Sequence, residues 1–376
     1  MKHTMQSLLT DHFAAFRALH GVSLPQLKAV SRLKLCRTAA LGAHVQCCPH
    51  GHIQGVWYNS CKHRACPQCC ALPQERWLRR LSSVLLDCPH HHMIFTLPAE
   101  LHPLWRFNRE RFAELLFAAV HRTLQTFGAD PKYLAAMPGV ISCLHTWGRD
   151  LSLHPHVHCL LTHGGLNDAG DWVLPRKSVL FPQKPLMLVY RGKLLAALRR
   201  ALLAGELVVP PDRSLQQCLN LCNQLGRKAW VVHCCQRYDH ASGVAKYLAR
   251  YIKGGPLRNS QLLSVSPSQV RFRYQSHRTH GSAVAQLAMA TFIQRWLEHV
   301  PTPGKASIRY LGLYSSGGRR KLNLAREYFA QAPVSLPALL SWQHYIARQW
   351  PTAGVCKACG QPLGHGVQVL PLRAPR

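Results

Sequence analysis

The sequence predicts an α+β protein in which a cysteine-rich module precedes an antiparallel sheet with packed helices and a basic C-terminal region. Seven of the 16 cysteines lie within residues 36–70, which indicates a compact module. Further along the chain, short apolar runs typical of strands alternate with amphipathic stretches typical of helices. Lys and Arg number 46 against 15 Asp and Glu, so the net charge of +31 predicts a polyanionic partner, by default nucleic acid.

Each element follows from its own pattern. Residues 1–35 carry apolar side chains at helical spacing, and residues 36–88 hold the cysteine module with a connecting helix. We assign residues 89–260 to the sheet domain and residues 261–376 to a basic region that we expect to bind nucleic acid. Strands are predicted at 92–97, 140–147, 156–162, 228–234 and 270–274, and helices at 72–88, 103–127, 194–204, 243–253 and 283–299.

The cysteine module has the spacing of a zinc site. Because a C-x-x-C turn points both sulfurs at one centre, the segment Cys66-Pro-Gln-Cys69 predicts half of a tetrahedral, structural Zn²⁺ site. The predicted ligands are Cys48, Cys61, Cys66 and Cys69. Buried thiols without a metal are the alternative.

Two details leave the ligand set open. Gly51 stands where a second cysteine would complete a C-x-x-C after Cys48, so His50 or His52 could substitute as a ligand. A further C-x-x-C, Cys356-Lys-Ala-Cys359, has only His365 nearby and is a possible half site.

A second candidate metal site lies on a predicted strand, His154-Pro-His156-Val-His158. Alternate residues of a strand share a face, so these imidazoles line one side and could bind a divalent cation with positions left for phosphate oxygens. If Asp150-Leu151 is a hairpin turn, residues whose numbers sum to 301 lie opposite each other, which places His145 across from His156 as a third ligand. A register slip of one residue would turn His145 away.

Two tyrosines lie one turn apart on a predicted helix. Tyr247 and Tyr251 share a helix face, with Lys246 and Arg250 in the neighbouring row. A tyrosine hydroxyl can attack a phosphodiester and form a phosphotyrosine. Its ordinary pKa of about 10 means that a metal and nearby cations must assist. The alternative is an aromatic pair packed into the core.

Cations and aromatic rings alternate in the C-terminal region, as in Arg271-Phe-Arg273-Tyr274. Rings can stack on unpaired bases while cations follow the backbone, although solvated charge and core aromatics explain single residues equally well. The candidate nucleic-acid contacts are Lys246, Arg250, Lys253, Arg319 and Arg320.

Taken together, these motifs resemble the two-tyrosine, HUH-class rolling-circle transposases of bacterial insertion sequences, in the insertion sequence ninety-one group and its common-region relatives. The similarity spans nearly the whole chain. Its carriers are Tyr58-Asn-Ser-Cys61, Arg64-Ala-Cys66-Pro-Gln-Cys69, residues 144–151 running into His154-Pro-His-Val-His158, Tyr247-Leu-Ala-Arg-Tyr251, and residues 292–299 with 308–313.

The resemblance implies an HUH-endonuclease-like sheet, with His156 and His158 holding Mg²⁺ or Mn²⁺ and with Tyr247 and Tyr251 as nucleophiles. The implied reaction nicks one DNA strand at an element end, leaves a 5′-phosphotyrosine and a 3′-hydroxyl, and transfers the strand to a target. No nucleotide cofactor is expected, and the sequence carries no G-x-x-x-x-G-K-[ST] motif.

Two alternatives stay open at this point. A three-carboxylate transposase would need clustered acids, but the 15 acids are scattered. A zinc-containing nucleic-acid-binding regulator without catalysis would explain the charge and the cysteines, but not the histidine strand with the tyrosine pair. With no apolar N-terminal signal and no run of about 18 apolar residues, we expect a cytoplasmic protein, nucleoid-associated when bound to DNA and without a membrane partner.

Overall fold

The computed structural model of the chain describes residues 3–176, 179–240, 243, 245, 255–276, 281–349, 354–363 and 367–369. The strands are β1 Ala43–Cys47, β2 Ile53–Tyr58, β3 His90–Thr96, β4 Gly139–Trp147, β5 Leu153–Thr162, β6 Gly165–Leu166, β7 Trp172–Val173, β8 Val232–Tyr238, β9 Leu262–Val265, β10 Gln269–Gln275, β11 Ser282–Ala288, β12 Ile308–Gly312 and β13 Val367–Val369. The helices are α1 Met5–Leu19, α2 Leu24–Lys34, α3 Ala71–Val84, α4 His102–Phe107, α5 Arg109–Ala129, α6 Gln183–Leu203, α7 Leu215–Leu225, α8 Met289–Glu298, α9 Arg319–Tyr328 and α10 Trp342–Gln349.

The centre of the molecule is a five-stranded sheet in the order β12-β4-β5-β3-β8, with every neighbouring pair antiparallel. This mixture of helices with an antiparallel sheet confirms the predicted α+β class. The described residues contain no helix that is long and apolar enough to cross a membrane.

The two faces of the central sheet are covered differently. Because side chains alternate along a strand, Val157, Cys159 and Leu161 of β5 point to one face, where they pack in the cluster that α5, α6 and α7 complete. Leu160 points to the other face, in a smaller cluster with Leu81 of α3 and residues of α9. The candidate site lies on this second, less thickly covered face.

The N-terminal helices pack against a distant part of the chain. Leu8 and Phe13 of α1 share a cluster with Phe272 of β10 and with Phe292 and Trp296 of α8. The rings of Phe272 and Phe292 lie 5.8 Å apart, edge to face. The N-terminal segment is therefore held by residues more than 250 positions away in the sequence.

The prediction of one helix over residues 283–299 is wrong for its first six residues. Residues 282–288 form β11, which pairs with β10 at every residue from Ser282 opposite Gln275 to Ala288 opposite Gln269. The helix α8 begins only at Met289. The small and apolar side chains of this segment are compatible with a helix or a strand, and pairing with β10 makes it a strand.

Residues 261–376 are distributed over the whole molecule. β12 is an edge strand of the central sheet, β9, β10 and β11 form a sheet of their own, and β13 pairs with β1 beside β2. The C-terminal region thus contributes to the central sheet and to the cysteine-rich module as well as to its own sheet.

Candidate active site and cysteine clusters

Three histidines converge on the second face of the central sheet. His145 of β4 lies directly opposite His156 of β5, in the register that the hairpin predicted, and His158 follows on the same face. The ring centroids of His145 and His158 are 4.3 Å apart, and those of His156 and His158 are 4.7 Å apart. One ring nitrogen from each of the three residues lies within 4.8 Å of the others.

The hairpin turn and an irregularity beside it together set this register. Gly148 N donates to Ser152 O at 2.8 Å, and the Asp150 carboxylate accepts from Ser152 N at 3.1 Å and from Ser152 Oγ at 2.6 Å. Leu151 has a φ of 64°, a left-handed conformation that closes the turn. The turn leaves Trp147 opposite Leu153, and a register shift of one residue between His145 and Trp147 then brings His145 opposite His156.

Hydrogen bonds orient two of the rings. His156 Nδ1 donates to the His154 carbonyl at 2.6 Å, so its Nε2 carries the lone pair and lies 3.0 Å from His158 Nε2. The other nitrogen of His158, Nδ1, lies 2.8 Å from His92 Nε2. A pair of Nε2 atoms that face each other, with both Nδ1 atoms engaged elsewhere, fits ligation of one cation between them.

Burial keeps these rings neutral. His145, His156 and His158 are 2%, 9% and 3% exposed. Desolvation lowers the pKa of His156 to about 4, and with the neighbouring histidines it lowers the pKa of His145 and His158 well below the ordinary value. Neutral imidazoles have the lone pairs that metal ligation requires.

The sequence analysis placed His154 among the converging histidines, where the structure does not place it, and it did not consider His92. His154, expected on the same side, is exposed, and its ring centroid is 5.0 Å from that of His156; its nitrogens are not among the converging set. His92 of β3 supports His158 from the neighbouring strand and has its pKa lowered to about 4 by burial. The run His90-His91-His92 was the available signal, but the pairing of β3 with β5 was needed to interpret it.

The predicted tyrosines and their neighbouring cations, Tyr247, Tyr251, Lys246, Arg250 and Lys253, lie outside the described residues. Just before them, Ala245 is buried in the same apolar cluster as Cys143 and Leu160. Cys143 pairs directly with His158, so this cluster lies on the histidine face of the sheet.

The other predicted DNA contacts lie at the start of α9. Arg319 and Arg320 are exposed residues of its first turn. Leu322 and Ala325 of the same helix are buried in the cluster with Leu160, so α9 packs on the sheet face that carries the histidines.

The structure corrects the predicted cysteine set. Cys61, Cys66 and Cys69 converge with Cys36, not with Cys48. The Sγ atoms of Cys36 and Cys66 are 3.5 Å apart, and those of Cys61 and Cys69 are 3.7 Å apart.

The reason is the β1–β2 hairpin. At its base, Arg37 N donates to Asn59 O at 3.0 Å, which returns Cys61 to the neighbourhood of Cys36 at the end of α2. Cys48 lies at the far end of the hairpin, where the chain turns from β1 into β2.

Cys48 belongs to a second cluster, with His52, Cys356 and Cys359. The predicted half site at Cys356 and Cys359 therefore finds its partners in the N-terminal module. His50 is not part of the cluster among the described residues, and His365 lies outside them.

Comparison with known proteins agrees with this geometry. The family model described as "Putative transposase" matches residues 139–321, which include the histidine hairpin and the first three residues of α9. The one described as "Transposase zinc-binding domain" matches residues 8–97. No solved structure matches the chain.

Two relatives are similar over most of their length. The chain is 34% identical over 333 residues to "Putative transposase y4qJ" of Sinorhizobium fredii (strain NBRC 101917 / NGR234), which covers 86% of this chain and 83% of that protein. It is 31% identical over 306 residues to "Transposase for insertion sequence element IS801" of Pseudomonas savastanoi pv. phaseolicola, which covers 77% of this chain and 70% of that protein. As the resemblance predicted, the chain belongs to the insertion-sequence transposases of the IS91 group, with a zinc-binding domain in its N-terminal part.

Proposed function

We propose that this transposase nicks and rejoins single-stranded DNA at the ends of an insertion element by tyrosine attack, in rolling-circle-type transposition. The observation that carries the proposal is the convergence of His145, His156 and His158 on one buried sheet face. Scattered structural histidines would have no reason to share one face, one hairpin register and a set of facing nitrogens. A site for Mg²⁺ or Mn²⁺ explains all three.

When bound there, the cation would polarise the scissile phosphate. The phenol oxygen of Tyr247 or Tyr251 forms a bond to phosphorus while the bond from phosphorus to the 3′-oxygen breaks. The phenol loses a proton and the released 3′-oxygen gains one. The 5′ end stays on the tyrosine, and the retained phosphoester bond lets the 3′-hydroxyl of a second strand reverse the step without a nucleotide cofactor.

The position of Ala245 supports the role of the tyrosines. This residue, two positions before Tyr247, is buried on the histidine face of the sheet. We propose that the residues after Ala245 bring one of the two phenols to the metal site.

The start of α9 supports a phosphate contact. Arg319 and Arg320 lie in its first turn, where the positive end of the helix dipole disfavours cations. A DNA phosphate would relieve this unfavourable charge and bind the exposed N–H groups as well. We propose that these residues, with Lys246, Arg250 and Lys253, hold the DNA backbone.

The cysteines of the N-terminal module have a structural role in this proposal. Cys36, Cys61, Cys66 and Cys69 offer four thiolates to one Zn²⁺ and leave it no open position. Because Cys36 and Cys66 are buried in the cluster that joins α1, α2 and α8, the metal would stabilise the packing of the N-terminal helices.

The test is formation of a covalent adduct between the full chain and labelled single-stranded element ends, separated on denaturing gels. Tyr247→Phe combined with Tyr251→Phe should abolish the adduct. Tyr328→Phe, at an exposed tyrosine at the end of α9, is the matched control and should leave it unchanged. An adduct that survives the double substitution would refute the proposal, and binding without nicking in the wild type would favour a regulator without catalysis.

A further inference from the structure

We propose that Cys48, His52, Cys356 and Cys359 form a second zinc site, which fastens the C-terminal segment of the chain to the N-terminal module. Their four donor atoms lie within 4.8 Å of one another. Cys356 and Cys359 lie outside the residues that the zinc-binding and transposase family models match.

The distances between donors are close to those of a zinc tetrahedron. Cys48 Sγ is 3.3 Å from His52 Nδ1 and 3.6 Å from Cys359 Sγ, and Cys356 Sγ is 3.7 Å from His52 Nδ1. A zinc ion about 2.3 Å from sulfur and about 2.0 Å from nitrogen would separate its tetrahedral ligands by about 3.6–3.8 Å. At 3.6 Å, Cys48 and Cys359 are too far apart for a disulfide bond, whose length is about 2.0 Å.

Each pair of ligands is presented by a tight turn of the kind that zinc knuckles use. In the first turn, Gly51 N donates to Cys48 O at 2.9 Å, and Gly51 has a φ of 80°. In the second, Gly360 N donates to Cys356 O at 2.8 Å, and Gly360 has a φ of 69°. Glycine adopts this left-handed conformation at little cost, so both turns can close beneath the metal.

Contacts outside the donor set hold the two turns together. The side chain of Gln54 in β2 reaches the second turn twice: its Nε2 donates to Cys356 Sγ at 3.4 Å, and its Oε1 accepts from Lys357 N at 3.0 Å. Beyond the turn, β13 adds to the hairpin, with Val367 opposite Val45. Cys48 and Cys356 are 4% and 2% exposed, which removes these thiols from solvent as a structural zinc site requires.

The consequence is a metal cross-link between segments that are 311 residues apart, counted from Cys48 to Cys359. The zinc-binding module would then be built from both ends of the chain. Loss of this site should release the C-terminal segment while the Cys36 cluster and the central sheet persist.

The first experiment measures zinc per chain in the full protein by elemental mass spectrometry. The wild type should hold two zinc ions, and Cys356→Ser combined with Cys359→Ser should hold one. His52→Ala should lose or weaken the second ion, whereas His50→Ala, two residues earlier on the same exposed turn, should keep both. Cys47→Ser is the matched cysteine control, because Cys47 adjoins Cys48 but belongs to neither cluster.

Cobalt substitution keeps the proposal testable if a variant folds poorly. In the wild type, thiolate-to-cobalt absorption should report four thiolates at one site and three at the other. In the Cys356→Ser, Cys359→Ser variant it should fall to roughly 60%, the share of the remaining four-thiolate site. Chelation of the weaker-bound metal should expose the chain to protease cleavage near Lys357.

Three results would overturn the proposal: a wild-type chain with one zinc ion, a double variant that retains two, or a disulfide between Cys48 and either of the C-terminal cysteines. Zinc content and cobalt absorption do not depend on nicking, so these outcomes are distinct from failure of the proposed transposase mechanism.

Discussion

The histidine site and the cluster of Cys48, His52, Cys356 and Cys359 are both groups of metal-binding side chains, but they are assembled over very different spans of chain. His145, His156 and His158 come from one hairpin, whose turn and adjoining register shift lie within a few residues of them. The cysteine cluster joins residues 311 positions apart. The comparison shows why local sequence patterns predicted the histidine arrangement but could not predict the cysteine cluster.

The difference is physical. In a hairpin, the alternation of side chains, the length of the turn and any bulge beside it decide which residues meet, and all three lie in one short segment of sequence. In the cysteine cluster, the meeting of Cys48 with Cys359 depends on β13 pairing with β1 and on the path of all the chain between. That information belongs to the packing of the whole molecule.

The largest effect that we expect comes from the hairpin site. His156→Ala combined with His158→Ala should lower the nicking rate at least about a thousand-fold, because the scissile phosphate loses the cation that stabilises its developing charge. Fold should be retained, which circular dichroism would check. His20→Ala, at the exposed end of α1, should nick at the wild-type rate. Nicking by the double variant at more than a tenth of the wild-type rate would show that these histidines hold no catalytic metal.

A smaller effect should follow from the residue that lies beside the hairpin on β3. His92→Ala removes the partner of His158 Nδ1 and should reduce nicking by about 10- to 100-fold. Raising the Mn²⁺ concentration should recover part of the loss if the defect is weaker metal binding. His92→Asn, which keeps a polar group there, should be less impaired. A His92→Ala variant with wild-type metal dependence would show that the contact has no positioning role.

Particular residues show how far sequence alone could reach. The face shared by His156 and His158 was predictable, because alternation along a strand is a local property. The predicted pairing of His145 with His156 is confirmed, but it depends on a register shift between His145 and Trp147 that the predicted turn did not include. The presence of Cys36 in this cluster, in place of the predicted Cys48, could not be predicted. The C-x-x-C spacing identifies Cys66 and Cys69 but does not indicate which distant thiols lie beside them.

Secondary structure shows the same limit. The local sequence pattern of residues 282–288 is compatible with a helix. These residues form β11 because they pair with the neighbouring strand β10. The support that His92 lends to His158 likewise required knowledge of the pairing between β3 and β5.

The smallest effect that we expect concerns acid stability. His90 is fully buried between the Cys88 carbonyl and the Tyr314 hydroxyl, and desolvation lowers its pKa to about 4, from about 6.5 in the unfolded chain. A lowered folded pKa stabilises the protein above pH 6.5, and this contribution is lost as the pH falls toward 4. Between pH 7 and pH 5 the loss is about 2 kcal/mol for this group.

The measurement is the free energy of unfolding in urea at pH 7 and pH 5. His90→Asn should be less stable than the wild type at pH 7, but should lose about 2 kcal/mol less between the two pH values. Equal losses in both proteins would mean that His90 does not titrate between the folded and unfolded states as its burial indicates.

The central claim is that three imidazole nitrogens of one hairpin hold a divalent cation at the place of DNA cleavage. Electron spin echo spectroscopy of Mn²⁺ bound to the full chain tests it most directly, because it detects nitrogen atoms coordinated to the metal. We predict nitrogen couplings in the wild type that disappear when His145, His156 and His158 are changed to alanine together. Bound Mn²⁺ without nitrogen couplings, or with couplings that survive these substitutions, would contradict the account.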